Sequence, residues 1–406
     1  MCRYDPNPKL QRHPVGAMPA FLRRFFVIAP ARQHLFPATI EPLTGVRFFL
    51  ALGVVFFHYQ LFWVLPVDAA PIFNRARLSV DIFFILSGFI LTHVYLTGES
   101  TPSYRHFISA RFARVYPAHF IILIGVLALT LGASLVGVPI DHANFSSFDF
   151  LTSLFLVHAW FPTDHMANWN GPSWSLSAEW FVYLCFPAFA WIAMRWREKP
   201  SLLIGLAIAI FGILDFAYQT GFGLILTEAQ ENLGIMLVVP EFLYGIGLYY
   251  LGQKIKLSPG QASIFALGMT ILLLAAMHFH VDDRLVVGIA GPFVLSLGLL
   301  AKSGQRSFLS HRWLQFGGEA SFALYLVHMP ILMVWRNVIQ KWFELEKTYR
   351  MGLPEIAILL ALTLVAASLI HIWVERPSRL WLRHLFKRNG APAKFLDTAP
   401  LGDPKS

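Results

Sequence analysis

Residues 44–65 read TGVRFFLALGVVFFHYQLFWVL, and this stretch decides the kind of fold that the chain adopts. Its side chains are almost all apolar, and Arg47 and His58 are its basic residues. A bilayer core is crossed by about 20 apolar residues in an α-helix. The stretch therefore predicts a helix that spans a membrane, with an arginine near one end and a histidine about three turns further on.

The rest of the chain has the same apolar character. Of its 406 residues, 56 % are hydrophobic and only 14 % are charged, and the mean hydropathy is +0.57. A typical soluble domain is about 45–50 % apolar and about 25 % charged, and a soluble chain of this size cannot bury so much apolar surface. The composition excludes soluble, disordered and collagen-like chains, and the presence of only two cysteines excludes a disulfide framework.

Ten stretches are apolar and long enough to cross a bilayer. They cover residues 44–65, 78–97, 118–138, 174–194, 201–219, 233–252, 262–279, 284–301, 318–338 and 353–375. A further apolar stretch at 148–161 is too short, and we expect it to lie at the membrane surface or to form a re-entrant segment. The predicted fold class is an all-α, polytopic helix bundle of about ten transmembrane helices.

Positive charge alternates between the loops. The two terminal tails and every second loop hold 24 Lys and Arg residues, whereas the other loops hold seven. Because basic loops stay on the cytoplasmic side of a membrane, this alternation predicts that both termini lie in the cytoplasm. We divide the chain into a cytoplasmic tail at 1–42, a transmembrane domain at 43–377 and a second cytoplasmic tail at 378–406. The net charge of +9 is attributed to membrane orientation, and no nucleic-acid partner is expected.

Ionisable groups inside a bilayer are costly and mark functional sites. Arg47 and His58 are eleven residues apart, so they lie on one face of the first span, about 16 Å apart along its axis. Asp81, near the outer end of the second span, lies at a depth similar to that of His58. This predicts a histidine–carboxylate pair suited to general-base catalysis. A structural histidine that bonds a backbone carbonyl is an equally good interpretation of His58.

Other polar residues recur at helical spacing. Ser175 and Glu179 lie one turn apart on one face of the fourth span, and His328 lies in the middle of the ninth. Arg111 and Arg114 are three residues apart and project together, which suits a clamp for phosphate groups. The alternative interpretation is that the two arginines are simply basic loop residues, which stay on the cytoplasmic side of a membrane.

Residues at the ends of spans have simpler interpretations. Trp160, Trp169 and Trp174 suit either stacking on sugar rings or an aromatic belt at the membrane interface. Glu375, with Arg376 and Arg379, is interpreted as an ion pair at the membrane surface, where the last helix ends. The 15 histidines are scattered without ligand spacing, so no metal site is expected.

A series of motifs in this chain resembles the membrane acyltransferase-3 family, over about residues 41–380. The matching segments are RFFLALGVVFFH (Arg47, His58), SVDIFFILSGFIL (Asp81, Ser87), ARFARVYP (Arg111, Arg114), WSLSAEWFVYLCFP (Trp174, Ser175, Glu179), SFALYLVHMPIL (His328) and VERPSR. Trp180 departs from the family pattern, since many relatives carry a second glutamate there. An appended extracytoplasmic hydrolase-like domain is also not expected.

The resemblance implies an integral membrane O-acyltransferase. The expected donor is acyl-CoA, with acetyl-CoA as the default, used as a co-substrate without a permanently bound cofactor. The expected acceptor is a hydroxyl of a glycan such as exopolysaccharide or lipopolysaccharide, or of a lipid-linked saccharide, at the cell inner membrane.

The resemblance also implies roles for individual residues. His58 acts as general base or accepts the acyl group transiently, and Asp81 orients it. The arginines Arg47, Arg111 and Arg114 hold the CoA phosphates. The candidates for the acceptor site or the reaction centre are Ser175, Glu179, Trp174, Ser87 and His328.

Two alternatives stay open at this point. One is an acyltransferase with a small acceptor, such as a macrolide or a glycolipid. The other is a polytopic transporter with a polar core, although such folds often show inverted repeats and none is visible here.

Overall fold

The apolar stretches fold as long helices. The computed structural model describes residues 36–66, 69–96, 103–135, 137, 145–163, 169–346 and 348–381. Within these residues there is no β-strand, and the one β-bridge joins Trp63 to Met351. The predicted all-α fold class is therefore confirmed, because every long apolar stretch satisfies its backbone hydrogen bonds within its own helix.

We number thirteen α-helices in the described part of the chain. They are α1 (Glu41–Gln60), α2 (Pro71–Asn74), α3 (Ser79–Tyr95), α4 (Tyr104–Leu135), α5 (Ser147–Leu154), α6 (Trp174–Leu184), α7 (Phe186–Trp196), α8 (Pro200–Phe222), α9 (Gly234–Lys254), α10 (Pro259–His278), α11 (Asp283–Lys302), α12 (Arg312–Trp342) and α13 (Leu353–Ile370). A π-helical turn, His371–Glu375, follows α13, and the chain stays helical to residue 381.

Nine of the described helices are long and apolar enough to cross a membrane, and α6 with α7 forms a tenth, bent candidate. The prediction of about ten spans is therefore confirmed. The third span starts earlier than predicted, at Tyr104 rather than at residue 118, because the helix continues through Pro117 and joins the amphipathic beginning to the apolar part. The short stretch at 148–161 forms α5, which is too short to cross.

The fourth span was predicted as one helix over 174–194, and the structure corrects this. Helices α6 and α7 meet at an angle of 62°. Pro187 lies at the start of α7, and its nitrogen has no proton to donate to the preceding turn. The break ends α6 after Leu184, so that Ser175 and Glu179 lie on a short helix of their own.

Helices α3 and α9 form the centre of the bundle and cross at very close range. A Cβ atom at Gly88 would lie 2.0 Å from the carbonyl oxygen of Phe242, and one at Gly245 would lie 2.0 Å from that of Ile85. Only glycine permits this approach. Ser87, beside Gly88, is thereby fixed at the centre of the molecule.

Helices α1 and α12 pack side by side along most of their length. Near their beginnings, a Cβ atom at Gly318 would lie 1.9 Å from the carbonyl oxygen of Thr44. Further along, His58 of α1 meets His328 of α12. The two contacts occur in the same order on both helices, so the helices run parallel and bring their polar residues together.

The segment before α6 is also tied to α12. Pro330 lies inside α12 and cannot donate a hydrogen bond to the carbonyl of Leu326. The Asn170 side chain donates to that carbonyl instead, at 3.0 Å. A polar loop residue therefore satisfies a carbonyl that would otherwise be unpaired in the bundle.

Candidate active site

A cavity of about 240 Å³ lies between α1, α3, α4, α6, α12 and the helical end of the described chain. Its wall carries four arginines, two glutamates and several hydroxyl groups. These polar wall residues include Arg47, Arg111, Arg114, Arg379, Glu179, Glu319, Ser87, Ser175 and Tyr325. The predicted donor-binding residues Arg47, Arg111 and Arg114 therefore meet at one cavity, although they come from two different helices.

Arg111 is held in the cavity wall by two tyrosines. Its Nη2 donates to the hydroxyl of Tyr95 at 2.9 Å, and its guanidinium carbon lies 5.3 Å and 6.0 Å from the ring centroids of Tyr95 and Tyr183. Aromatic faces attract a guanidinium without neutralising it. The charge of Arg111 is therefore fixed in place and still available to an anion.

Arg47 and Arg114 lie close enough to repel each other, and Arg47 is also within electrostatic range of Glu179 and Arg379. Within the described residues, none of Arg47, Arg111 and Arg114 forms an ion pair. All three are half-buried, whereas Arg105 on the same helix is exposed. Half-buried guanidiniums that share a cavity and form no ion pair with a carboxylate are suited to bind an anion.

Two of the predicted candidates, Ser87 and Glu179, contact each other in the middle of the cavity. The hydroxyl of Ser87 donates to Oε1 of Glu179 at 2.6 Å. Glu179 thereby links α6 to the central crossing of α3 and α9. It lies within electrostatic range of Arg47 and Arg111, so it belongs to the arginine part of the cavity.

Ser175 bonds to a tyrosine that the sequence analysis did not single out. Its hydroxyl donates to the hydroxyl oxygen of Tyr325 at 2.8 Å, and Tyr325 donates to the carbonyl of Pro172 at 2.7 Å. Both hydroxyls line the cavity. Tyr325 lies one helical turn before His328, so this pair joins the cavity to the histidines.

His58 and His328 form a hydrogen-bonded pair next to the cavity. Nε2 of His328 lies 3.0 Å from Nδ1 of His58, which is also 2.9 Å from the carbonyl oxygen of Val54. Nδ1 of His328 lies 2.6 Å from the carbonyl oxygen of Tyr325. Because a carbonyl only accepts hydrogen bonds, both Nδ1 atoms carry a proton in the neutral rings.

This arrangement leaves Nε2 of His58 as an unprotonated nitrogen. Among the described residues it has no hydrogen-bond partner. The His58 side chain is half-buried, whereas His328 is fully buried. Nε2 of His58 therefore has the lone pair and the exposure that a general base or a nucleophile needs.

A family model described as an acyltransferase domain, Acyl_transf_3, matches residues 41–372. The chain belongs to the acyltransferase-3 family. The match covers the helices that build the cavity, except for the last turn that carries Arg379.

The acyltransferase-3 chain is similar to two kinds of curated protein. Acyltransferase MdmB of Streptomyces mycarofaciens is 29 % identical over 89 % of this chain and 97 % of its own length. Peptidoglycan O-acetyltransferase OatA of Listeria monocytogenes is 24 % identical over 84 % of this chain, and O-acetyltransferase OatA of Staphylococcus aureus is 24 % identical over 73 %. The chain spans about half the length of each OatA protein. No solved structure matches the chain significantly.

Family membership and the long apolar helices together define the protein class. The chain is a membrane O-acyltransferase. The expected acyltransferase-3 family is confirmed, and this favours an enzyme over the transporter alternative.

The predicted pair of His58 and Asp81 is not formed in this acyltransferase-3 chain. Asp81 is buried beside Glu241 of α9, whereas the partner of His58 is His328. Asp81 lies two turns before Gly88, and Glu241 lies one turn before Gly245, so both carboxyls point into the close crossing of α3 and α9. The predicted pair is therefore not formed because Asp81 faces α9 and not His58.

The structure contains the predicted ion pair of Glu375 and Arg379. They form an ion pair at 2.9 Å, but the Glu375 side chain is only 1 % exposed. Arg379 also lies on the cavity wall. The predicted domain boundary at 377 also falls within this helical segment.

The three tryptophans singled out from the sequence are held by local contacts. Trp174 is buried and its ring meets that of Phe84 at 6.0 Å, while Trp169 is buried and donates to the carbonyl of Ser146. Trp160 donates to the carbonyl of Ser177 at 2.9 Å. Trp174 is therefore a packing residue outside the cavity wall, and none of the three indoles forms a free platform with the others.

His158, in the loop before α6, contributes to the support of that helix. Its Nε2 lies 3.2 Å from the hydroxyl of Ser173. Burial, together with the nearby His119, lowers the pKa of His158 to about 3. A neutral ring of this kind is a structural partner and not an acid or a base at neutral pH.

The described residues contain no group of three or more His, Cys, Asp or Glu side chains placed to hold a metal ion.

Two residues of the site were not predicted from the sequence, Tyr325 and Arg379. Both lie in the segments SFALYLVHMPIL and VERPSR that carry the family resemblance. The helical spacing of Tyr325 before His328 was a usable signal for the first.

Proposed function

We propose that this membrane O-acyltransferase takes an acyl group, by default acetyl, from cytoplasmic acyl-CoA and transfers it to a hydroxyl of a glycan. The observation that supports it best is the cavity with four arginines on its wall, next to a histidine pair. CoA carries several phosphates, and arginine is the side chain best suited to bind them.

Arg47, Arg111 and Arg114 are the proposed anchors of the CoA phosphates. The predicted topology puts their end of the helices at the cytoplasmic face, where acyl-CoA is present. The pantetheine arm would then extend through the cavity toward Ser175 and Tyr325. The hydroxyls of these two residues are placed to contact the thioester end of the donor.

His58 supplies the proton transfer in this proposal. Its Nε2 takes the proton of the acceptor hydroxyl while the hydroxyl oxygen bonds to the thioester carbonyl carbon. The carbon–sulfur bond then breaks, and the proton passes to the CoA thiolate, which leaves as the thiol. Transfer through an acyl group held briefly on Nε2 uses the same atoms, and both routes remain within the proposal.

The glycan acceptor is proposed from the names of the relatives and from the position of His58. The OatA proteins are O-acetyltransferases, one of them of peptidoglycan. His58 lies near the end of α1 and is half-buried, so an acceptor can approach it from the side opposite to the arginines. The proposed location is the inner membrane, with a glycan or a lipid-linked saccharide as the acceptor.

The test is an assay of purified protein in liposomes with radiolabelled acetyl-CoA. Release of CoA and label in the acceptor are measured with peptidoglycan fragments, a lipid-linked saccharide and a macrolide as separate acceptors. We expect His58→Ala to lower kcat by about 10²-fold or more, the contribution of a general base. A folded His58→Ala protein with full activity would reject the mechanism.

The donor site is tested with matched arginine variants on α4. Arg111→Ala and Arg114→Ala should raise the KM for acetyl-CoA about tenfold, since a hydrogen bond to a charged group contributes about 1.5–3 kcal/mol. Arg105→Ala is the control, because Arg105 is exposed on the same helix outside the cavity wall. Equal KM values for all three variants would mean that the pair only retains positive charge at the membrane surface.

A further inference from the structure

Arg379 is the one arginine of the cavity wall that neither the spacing of Arg111 and Arg114 nor that of Arg47 and His58 predicts. Its side chain keeps 16 % of its surface exposed, and it shares the cavity with Arg47 and Arg114. Both of these arginines lie within electrostatic range of it. The carboxylates of Glu179, Glu319 and Glu375 also lie within electrostatic range of this cluster. A further anion in the cavity would offset the repulsion that remains between the guanidiniums.

The position of Arg379 is set by a chain of polar contacts along the last helix. Nη2 of Arg379 donates to Oε2 of Glu375 at 2.9 Å, and Nδ1 of His371 lies 2.8 Å from the same oxygen. Nε2 of His371 lies 3.6 Å from Oε2 of Glu319. Glu319 is itself part of the cavity wall, so this series of polar contacts starts and ends at the cavity.

The π-helical turn makes this series of polar contacts possible. His371–Glu375 are the residues with π-helical hydrogen bonds, and such turns are frequent at functional sites. His371 and Glu375 are both buried, and Arg379 follows Glu375 by one helical turn. The turn therefore directs a buried carboxylate toward the guanidinium of Arg379 and holds that guanidinium at the cavity.

Glu375 occupies only one of the donors of Arg379. A guanidinium has five N–H groups, and the Nε of Arg379 has no acceptor among the described residues. Arg379 therefore differs from an arginine whose hydrogen bonds are all used in an internal ion pair. It has donors left for a ligand of the cavity.

We propose that Arg379 forms a fourth phosphate-binding position of the donor site and that Glu319, His371 and Glu375 are its positioning residues. The ligand class is a thioester of a nucleotide with several phosphates, and the inference rests on the proposed acyl-CoA donor. Arg379 recognises a phosphate of the nucleotide and not the acyl group or the acceptor.

The test compares two donors that differ in phosphate. Acetyl-CoA carries the nucleotide phosphates, whereas S-acetylpantetheine carries none. We expect Arg379→Ala to raise the KM for acetyl-CoA about tenfold, as the loss of a charge-assisted hydrogen bond would, with an unchanged kcat. With S-acetylpantetheine the variant should equal the wild type. Arg376→Ala is the matched control, because Arg376 lies on the same turn but not on the cavity wall.

Glu375→Gln and Arg379→Lys extend the test to the positioning residues. Glu375→Gln should raise the KM for acetyl-CoA by a smaller factor than Arg379→Ala and leave S-acetylpantetheine turnover unchanged. Arg379→Lys, which keeps the charge, should lie between the wild type and Arg379→Ala. If Arg379→Ala does not fold, Arg379→Lys is compared with the wild type instead. For both proteins the increase in melting temperature on adding CoA is measured, and it should be smaller for Arg379→Lys.

The outcomes that would overturn the inference are distinct from those that concern the proposed function. Equal losses with both donors would show that Arg379 is structural, and unchanged KM values with acetyl-CoA would show that it does not contact the donor. A wild-type protein that never releases CoA from acetyl-CoA would instead reject the proposed donor itself.

Discussion

Two backbone carbonyls determine where the protons lie in the histidine pair. Val54 and Tyr325 each present an oxygen to an Nδ1 atom, at 2.9 Å and 2.6 Å. Nε2 of His328 is then left to accept, and it lies 3.0 Å from Nδ1 of His58. His328 thus fixes the ring of His58 with the basic nitrogen Nε2 free, which is the part that a carboxylate has in a catalytic triad.

The first prediction concerns this support. His328→Phe keeps an aromatic ring of similar shape but removes the acceptor, so kcat should fall about tenfold, since one hydrogen bond is worth about 1–1.5 kcal/mol. His328→Gln keeps an acceptor and should lose less. The KM for acetyl-CoA should stay constant in both variants. Steady-state kinetics of the two folded proteins checks this, and equal kcat values would show that His328 does not support His58.

Sequence reasoning at the residue scale can place two residues on one helix, but it cannot pair residues on two different helices. Arg47 and His58 share one helix, so the spacing of 3.6 residues per turn was enough to put them on one face. His58 and Asp81 lie on different helices, and their pairing depends on the rotation of α3 about its axis. That rotation is set by the contact of Gly88 with α9, which becomes visible only when the helices are packed.

The second prediction follows from the actual partner of Asp81. Asp81→Asn offers an amide donor to Glu241, so the contact between α3 and α9 is kept, and kcat should change by less than about threefold, or 0.6 kcal/mol. A carboxylate that orients a catalytic histidine would behave differently, because its replacement by asparagine lowers kcat by about 10⁴-fold. Measurement of kcat distinguishes the two roles without ambiguity, provided that the variant has a wild-type melting temperature.

At the scale of helices, glycines decide which pairs approach closely. Both Gly88 and Gly245 face a backbone oxygen of the opposite helix. The sequence contained these glycines within apolar spans, but at many other glycines of the chain an added Cβ atom would have no neighbouring atom. Gly268 on α10 and Gly125 on α4, for example, have no atom within 4 Å of an added Cβ. A glycine at a crossing therefore cannot be distinguished from a lipid-facing one before the bundle is assembled.

The third prediction compares the two kinds of glycine. Gly245→Ala puts a Cβ 2.0 Å from the carbonyl oxygen of Ile85, and overpacking of this kind costs about 1–3 kcal/mol. Gly268→Ala meets no atom and should be neutral or stabilising, since alanine is favoured over glycine in a helix by about 1 kcal/mol. Thermal unfolding of both variants in detergent should give opposite signs. A Gly245→Ala protein as stable as the wild type would show that the helices can separate.

The break between α6 and α7 illustrates the same limit for a single span. The sequence showed an apolar run with a proline inside it, and prolines also occur inside α4, α9, α11 and α12, which remain helical through them. Pro187 coincides with a bend of 62°. Whether a proline kinks a helix or ends it depends on which neighbours satisfy the released carbonyl, as Asn170 does for Pro330 in α12.

At the scale of the whole molecule, the arrangement of loops depends on the number of spans. The ten candidates, with α6 and α7 counted as one, leave the loop before α6 and the loop before α12 on opposite sides of the bilayer. The loop before α6 contains no Lys or Arg, whereas the loop before α12 contains Arg306 and is flanked by Lys302 and Arg312 at the ends of the two helices. Parity of the spans and the distribution of charge therefore lead to the same expected orientation.

The last prediction tests this orientation with single cysteines. In a Cys2→Ser, Cys185→Ser background, Phe161→Cys and Gln305→Cys introduce a thiol at two exposed loop positions. A membrane-impermeant maleimide added to intact cells should label residue 161, and residue 305 should react only after the membrane is permeabilised. The arginines of the cavity would then face the compartment that supplies acyl-CoA, and His58 would lie toward the opposite face. Labelling of residue 305 from outside would show that the protein has the opposite orientation in the membrane. The proposed direction of acyl transfer would then have to be reversed.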